Sequence, residues 1–306
     1  MDSRDGGGSG RRWTLALVAC ITLLVACERA SAAPLDVVRT AAEVRDYWTP
    51  QRMENAIPLG PFGAGDPAAK RGPAKPVKHP SRKPFRSHGK VFFTLDTDYV
   101  CSGTAIRSPA GTAVWTAGHC TYGSTGPLTT GYASNWEFVP AYRNGHAPFG
   151  EWPKRRLRTT PQWKASSEGC LPLTACGDVA HDFGAANVAK LHGKTLQQRV
   201  GGRGISFNGE RDRTYKAIGF PQAPPFDGES MQFCKSAYQG PDNSQGNPPP
   251  MRINCDMTGG SSGGGWIASG KVASVVSYGY KGEPNQLYGP YQGDVARNLY
   301  NEIKNG

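Results

Sequence analysis

The feature that most constrains the fold is a series of short, apolar, β-type runs that starts at Val91 and continues towards the C-terminus. Glycine, proline and other turn-forming residues separate the runs, and the chain holds 40 glycines and 25 prolines. Short strands with frequent turns are typical of β-sandwiches and β-barrels. The runs are 91–95, 99–106, 112–117, 205–207, 214–219, 266–268 and 272–280. The sequence therefore predicts an all-β fold, with a short C-terminal helix over Asp294–Ile303.

Residues 1–32 have the pattern of a secretory signal peptide. Arg11-Arg12 precede an apolar run, 13–26, that is too short to cross a membrane, and Ala30-Ser31-Ala32 is a small-x-small cleavage site. Within this region, Leu24-Val25-Ala26-Cys27 is also similar to a bacterial lipobox. We expect ordinary cleavage and secretion, with lipid anchoring of the cysteine at the cell surface as the alternative.

Residues 33–87 differ from the β-rich part, and we expect them to be a propeptide with a basic, proline-rich linker. Residues 36–57 have a helical apolar rhythm that Pro50 interrupts. Residues 58–84 are rich in proline, glycine, lysine and arginine, which is typical of an extended, exposed linker. Exposed basic linkers are readily cut, so we expect processing near Arg82–Lys90.

The formal net charge is +11, but much of the excess lies in the basic stretch Lys70–Lys90. No nucleic-acid-binding motif accompanies this stretch, so we interpret it as a solvated linker and expect no nucleic-acid partner. The histidines form no HExxH motif, and the cysteines form no CxxC pair. Without those motifs or a phosphate loop, the sequence predicts neither a metal nor a cofactor.

Six cysteines follow the signal region: Cys101, Cys120, Cys170, Cys176, Cys234 and Cys255. An even number in an exported chain indicates three disulfides. Proximity along the chain suggests that they pair in the order given, although the sequence alone does not choose among the connectivities.

The run Thr258–Gly265 contains the candidate nucleophile, Ser262. An isolated Gly/Ser run is usually a flexible linker, but this one lies between Cys255 and the strand-like Trp266–Ala268. A nucleophilic serine must be reached from outside, and its N–H must point at the developing oxyanion. Small neighbours allow the tight turn that aims both groups. The context therefore favours a nucleophile over a linker.

His119 is the candidate general base, and Asp182 is the candidate carboxylate that orients it. Cys120 follows the histidine directly, and its predicted disulfide would hold the histidine turn against the preceding strand. Asp182 is preferred to Asp178 because an apolar run follows it, which suits a carboxylate at the base of a barrel. His181 is interpreted as an exposed neighbour.

The sequences Thr116–Cys120 and Gly260–Gly264 and the order His, Asp, Ser resemble the trypsin-like serine peptidases of the chymotrypsin superfamily. The resemblance covers about residues 88–306, which would be the protease domain. It implies two six-stranded antiparallel β-barrels with the triad in the cleft between them. It also implies protein or peptide substrates and hydrolysis without a cofactor. We expect a monomer.

The resemblance further implies roles for individual residues. His119 would take the proton of Ser262 and pass it to the leaving amine, while Asp182 would fix the imidazole tautomer. The N–H groups of Gly260 and Ser262 would form the oxyanion hole. Ser277-Tyr278-Gly279 would bind substrate backbone as an added strand.

Two departures from the family concern activation and specificity. Ser261 stands where an aspartate often pairs with a new N-terminus, so a trypsinogen-style switch is not expected. Asp256, six residues before the nucleophile, stands where trypsin-type enzymes bind Arg or Lys. It is a candidate substrate-binding residue, with a purely structural role as the alternative. Val276 replaces the histidine of the glutamyl branch, which argues against Glu preference.

Two other functions compete with a secreted protease. One is a catalytically inactive protease-fold protein whose basic surface binds an anionic partner, and the intact His, Asp and Ser candidates argue against it. The other is a lipid-anchored surface protease, which a lipidation assay on Cys27 would distinguish.

Overall fold

The computed structural model describes residues 39–59, 72–126, 129–168 and 177–306. The predicted signal peptide, Cys170 and Cys176 lie outside the described residues. The described helices are α1 (Ala41–Tyr47), α2 (Pro50–Asn55), α3 (Pro161–Ser167), α4 (Leu196–Val200) and α5 (Asp294–Ile303). No helix in these ranges is long and apolar enough to span a membrane.

The described strands confirm the all-β prediction. They are β1 (Ile57–Pro58), β2 (Lys75–Pro76), β3 (His88–Thr94), β4 (Asp98–Ala105), β5 (Ala113–Thr116), β6 (Tyr122–Gly126), β7 (Thr129–Tyr132), β8 (Ser134–Pro140), β9 (Trp152–Thr159), β10 (Gly184–Val188), β11 (Gly204–Ile205), β12 (Thr214–Gly219), β13 (Gln232–Pro241), β14 (Met251–Asn254), β15 (Gly265–Ala268), β16 (Lys271–Val275) and β17 (Gln286–Gly289).

The first barrel is closed and antiparallel. Its six strands run in the order β4-β3-β8-β9-β10-β5, and β4 pairs with β5 to complete the ring. Large apolar side chains fill it, among them Phe93, Trp136 and Phe138, each fully buried. A barrel of six strands has room for side chains only, so its interior is a packed core.

The second sheet is an incomplete barrel, in contrast to the second closed barrel that the resemblance implied. Its strands run in the order β11-β16-β15-β12-β13-β14-β17. After β16, the chain meets β17 through a single antiparallel bridge between Tyr278 and Tyr288. Because a single bridge does not close the ring, one side of the second sheet stays open. Its core includes Tyr215 and Trp266, whose rings lie 5.6 Å apart.

The helical prediction for residues 36–57 is confirmed within the described range. Pro50 marks the interruption, because α1 ends at Tyr47 and α2 begins at Pro50. Thr49 caps α2 by accepting the Arg52 N–H, and a proline at the first helical position loses no intrahelical bond. Both helices belong to the same structural unit as the barrels, which begins at Arg39.

The described part of the predicted linker is less exposed than its composition suggested. β2 adds to β13, and Val77, which is buried, donates its N–H to Met231. Within the predicted processing region, residues 81–84 are exposed, whereas residues 87–90 are buried at the start of β3. Residues 81–84 are therefore the part of this region that a processing protease can reach.

The predicted C-terminal helix is α5, and its first helical residue is Asp294, with Gly293 as the N-cap. An acidic residue in the first turn is favourable at the positive end of the helix dipole. Ala296, Leu299 and Ile303 form its buried face.

Candidate active site

His119 and Asp182 lie together at one edge of the first barrel. β5 pairs with β10 so that Thr116 lies opposite Gly184, and the two side chains are carried by the turns just beyond that pair. Asp182 Oδ2 lies 2.7 Å from His119 Nδ1, and Asp182 Oδ1 accepts the His119 backbone N–H over 2.9 Å. The aspartate is 1% exposed. The carboxylate therefore holds both the ring and the backbone of the histidine.

Asp182 has a third donor that sequence reasoning missed. The hydroxyl of Ser277 donates to Asp182 Oδ2 over 2.6 Å. The sequence predicted Ser277 as part of an edge that binds substrate through its backbone, and its side chain contacts the aspartate. No local pattern signals this contact, because 95 positions separate the two residues.

Ser262 lies in a tight turn between two glycines with positive φ, Gly260 at +93° and Gly263 at +78°. A Cβ on Gly263 would collide with Thr116 Oγ1 and with the carbonyl oxygen of Ser102. The glycines therefore let the turn that carries Ser262, which we call the nucleophile turn after its candidate role, lie closer to the first barrel than it could with larger residues at these positions.

Ser102 on β4 joins the first barrel to the nucleophile turn. Its N–H donates to the Ser262 carbonyl over 2.7 Å, and its hydroxyl donates to the Gly260 carbonyl over 2.9 Å. The same hydroxyl accepts the Phe220 N–H over 2.8 Å. The Ser102 hydroxyl thus links β4 to the turn that carries Ser262 and to the residue that follows β12.

Ser262 Oγ and His119 Nε2 do not hydrogen-bond to each other in this structure. Neither atom has a hydrogen-bond partner among the described residues, and neither is exposed to solvent. Catalytic hydrogen bonds are often long before substrate binds. Of the predicted oxyanion donors, the Gly260 N–H is engaged by the Leu59 carbonyl over 3.4 Å.

The competing aspartate, Asp178, is part of a separate pair. Its Oδ2 lies 2.7 Å from His181 Nδ1, and its Oδ1 accepts the Ala180 N–H. The side chain of His181 is only 12% exposed, so the interpretation of it as an exposed neighbour was wrong. No hydrogen bond joins the side chains of this pair to the Asp182 carboxylate.

The carboxylate of Asp256 is engaged by the chain itself. Its Oδ2 accepts the Gly72 N–H over 2.6 Å, and its Oδ1 accepts the Ala74 N–H over 2.7 Å. The residue is 7% exposed. Buried carboxylates need such donors, and the N-terminal segment supplies them here.

Tyr278, in the predicted substrate-binding edge, pairs with Tyr288 through both its N–H and its carbonyl, and the two rings stack at 4.9 Å. Its hydroxyl donates to Asp242 Oδ2 over 2.6 Å. Burial raises the pKa of the Tyr278 hydroxyl. Burial opposes ionisation of Asp242, but hydrogen bonds from Ser244, Tyr278 and Tyr280 outweigh it and lower the pKa of that carboxyl. The adjacent Gly279 has no backbone partner among the described residues.

Two disulfides lie in the described residues. Cys101–Cys120 joins β4 to the turn that carries His119, and Cys234–Cys255 joins β13 to the residue before Asp256. The predicted pairing of Cys170 with Cys176 lies outside the described residues.

Similar solved structures include two bacterial proteases. Protease Anisep from Arthrobacter nicotinovorans is 38% identical, with a TM-score of 0.63, over 72% of this chain and 96% of that chain. Thermostable serine protease AL20 from an extremophilic microorganism is 36% identical, with a TM-score of 0.63, over 72% of this chain and 97% of that chain.

A structure of Glu endopeptidase in complex with MPD is 17% identical, with a TM-score of 0.59, over 79% of this chain and 100% of that chain, and this likeness concerns the fold alone. A scan of protein-family models and a search of curated proteins gave no match. The chain matches two proteases at more than a third identity over nearly their whole length. It therefore belongs to the trypsin-like serine peptidases of the chymotrypsin superfamily.

Proposed function

We propose that the chain is a secreted serine endopeptidase with Ser262 as nucleophile, His119 as general base and Asp182 as the carboxylate that orients the base. The observation that carries the proposal is the two-point contact of Asp182 with His119, at Nδ1 and at the backbone N–H. A carboxylate at Nδ1 keeps a proton on that nitrogen, so Nε2 stays available as the acceptor. A general base for a serine hydroxyl needs this tautomer.

The reaction would run in two halves. Ser262 Oγ attacks the carbonyl carbon of the scissile peptide bond while His119 Nε2 takes its proton. The N–H groups of Gly260 and Ser262 stabilise the oxyanion, and the imidazolium then protonates the leaving amine. Water attacks the resulting ester with His119 again as base, and the acid product leaves with Ser262 restored.

Substrate would bind as a strand beside residues 277–279. Gly279 supports this role, because its backbone groups have no partner among the described residues while those of Tyr278 pair with Tyr288. An extended peptide adds to such an edge through main-chain hydrogen bonds. The P1 preference is a separate question, because Asp256 already accepts two hydrogen bonds.

Secretion is supported by two independent features. The N-terminal sequence has the pattern of a signal peptide, and two disulfides are present in the described residues. Disulfides persist in oxidising compartments. The proposed organisation is a signal peptide over 1–32, a propeptide and linker over 33–87 and a protease domain over 88–306.

Labelling with a fluorophosphonate tests the proposal. The secreted, processed protein is compared with Ser262→Ala and His119→Ala, and Ser261→Ala serves as the matched control because its hydroxyl donates to Thr258. We expect labelling of the wild type and of Ser261→Ala and none of the other two. Labelling that survives Ser262→Ala would identify a different serine. A folded wild type from which residues 33–87 have been removed and that still does not label would favour the inactive binding protein.

A further inference from the structure

Leu59 bridges the first barrel and the nucleophile turn. Its N–H donates to the Val100 carbonyl over 3.1 Å, and its carbonyl accepts the Gly260 N–H over 3.4 Å. Just before it, β1 pairs in parallel with Tyr99–Val100 of β4. The residue therefore lies at the junction of β4 and the turn that carries Ser262.

The second half of the molecule also holds this segment. Gln222 Nε2 donates to the Ala56 carbonyl over 2.7 Å. A Cβ on Gly259 would lie 3.4 Å from the Cβ of Pro58, so the two backbones run close together. Residues 56–59 therefore contact both halves beside the candidate oxyanion hole.

Helices α1 and α2 anchor the segment to the first barrel. The indole N–H of Trp48 donates to the Asn135 carbonyl, and Trp48 is 3% exposed. Tyr47 donates to Asp98 Oδ1 over 2.7 Å, and Arg52 forms a 3.0 Å ion pair with Asp98 Oδ2. Met53 is also buried. The buried apolar side chains stabilise the docked helices more than the exposed ion pair does.

The segment does not bind in the manner expected of a substrate. Its hydrogen bonds to the rest of the described chain beside the nucleophile turn go to Val100, Gly260 and Gln222. The predicted substrate edge at residues 277–279 receives none of them. The segment thus engages an oxyanion donor without being aligned along the edge that would present a peptide bond for attack.

We propose that residues 39–59 are an intramolecular inhibitor of the protease. The inference rests on the proposed function and concerns its regulation. While the segment is docked, the Leu59 carbonyl occupies the Gly260 N–H, which a substrate oxyanion needs. Ser262 Oγ and His119 Nε2 are closed off from solvent in the same state. Activity requires residues 39–59 to dissociate from the protease. Cleavage of the chain at a position after residue 59 does not by itself remove the contacts of Trp48 and Met53.

The test uses the full chain and a gel that reports both length and fluorophosphonate labelling. The double variant Trp48→Ala/Arg52→Ala removes two of the anchoring contacts, and Leu59→Pro removes the N–H donated to Val100 together with part of a buried apolar side chain. Gln51→Ala is the matched control, because Gln51 is exposed and donates only to Asn55 of its own helix. Thermal unfolding confirms that each variant is folded.

We expect the intact-length wild type and Gln51→Ala to label slowly. The double variant should label at least about tenfold faster at intact length, since truncating a buried tryptophan removes a large contact. The labelling rate of Leu59→Pro should lie between that of the wild type and that of the double variant. Equal labelling rates at intact length in the wild type and both loosened variants would overturn the inhibitor while leaving the protease. No labelling of any band, at any length, would instead overturn the proposed function.

Discussion

The hydroxyl of Ser277 donates a 2.6 Å hydrogen bond to Asp182 Oδ2, the oxygen that also faces His119 Nδ1. Asp182 therefore has three donors, two from His119 and one from a residue beyond the nucleophile turn. Because Ser277 belongs to the second half of the chain, the orientation of the imidazole depends on both halves.

Ser277→Ala should lower kcat about tenfold and leave KM nearly unchanged, since outer hydrogen bonds orient a catalytic group without contacting substrate. Steady-state hydrolysis of a peptide substrate measures both constants. Ser274→Ala is the control, because its buried hydroxyl donates to Pro290 and not to the aspartate. A raised KM with unchanged kcat would instead indicate that Ser277 contacts substrate.

Asp182→Asn should lower kcat about 10⁴-fold, as expected when an amide stabilises the wrong imidazole tautomer. Asp178→Asn removes the partner of His181 and should leave kcat within a few-fold of the wild type. Burst and steady-state kinetics on both variants make the comparison. Similar losses in the two variants would mean that the wrong aspartate has been chosen.

Asp256→Asn should lower the melting temperature rather than switch specificity. One of the two N–H groups from Gly72 and Ala74 would then face an NH₂ group, and a buried unsatisfied donor costs about 1–3 kcal/mol. Calorimetry and a peptide library report stability and P1 preference, with the exposed Asp212→Asn as control. A selective loss of cleavage after Arg and Lys would assign Asp256 to substrate.

Glu137→Gln should stabilise the protein at alkaline pH. Burial, and then the nearby Glu151, raise the pKa of the Glu137 carboxyl well above its ordinary value, although Arg45 opposes them. Both oxygens lack hydrogen-bond partners among the described residues. The folded state thus binds a proton that the unfolded state releases, so stability falls as pH rises above the ordinary pKa of 4.5.

Melting temperatures of the wild type and Glu137→Gln should therefore be similar near pH 4 and diverge by several degrees near pH 8. The exposed Glu54→Gln controls for a general charge effect. A constant difference across this pH range would mean that Glu137 keeps an ordinary pKa in the folded state.

The sequence predicted some strands whose residues are buried on both faces, such as β5, but not the equally buried β10. All four residues of β5 are buried, and the run around it is apolar throughout. β9, which the sequence analysis missed, carries four partly or fully exposed basic residues, Lys154, Arg155, Arg156 and Arg158. A search for apolar runs fails for such strands, because only one face contacts the core.

Local motifs were enough to predict candidate site residues, but they did not predict contacts between distant segments. His119 and Ser262 stand in short, recognisable sequences. The partners of Asp256 lie more than 180 positions away, in a segment whose composition predicted an exposed linker. Leu59 beside Gly260 is a similar case, since nothing in either sequence indicates that the two backbones meet.

Ser102 gives the fold a further property. One hydroxyl accepts from Phe220 and donates to Gly260, while the backbone N–H of the same residue binds Ser262. The register between the two halves is thus set in part beside the candidate nucleophile. A chimera that joins the first barrel of this protein to the second half of a relative will keep its nucleophile aligned only if position 102 retains a hydroxyl that fits the incoming turn. Recombination between distant relatives should therefore depend in part on this one side chain.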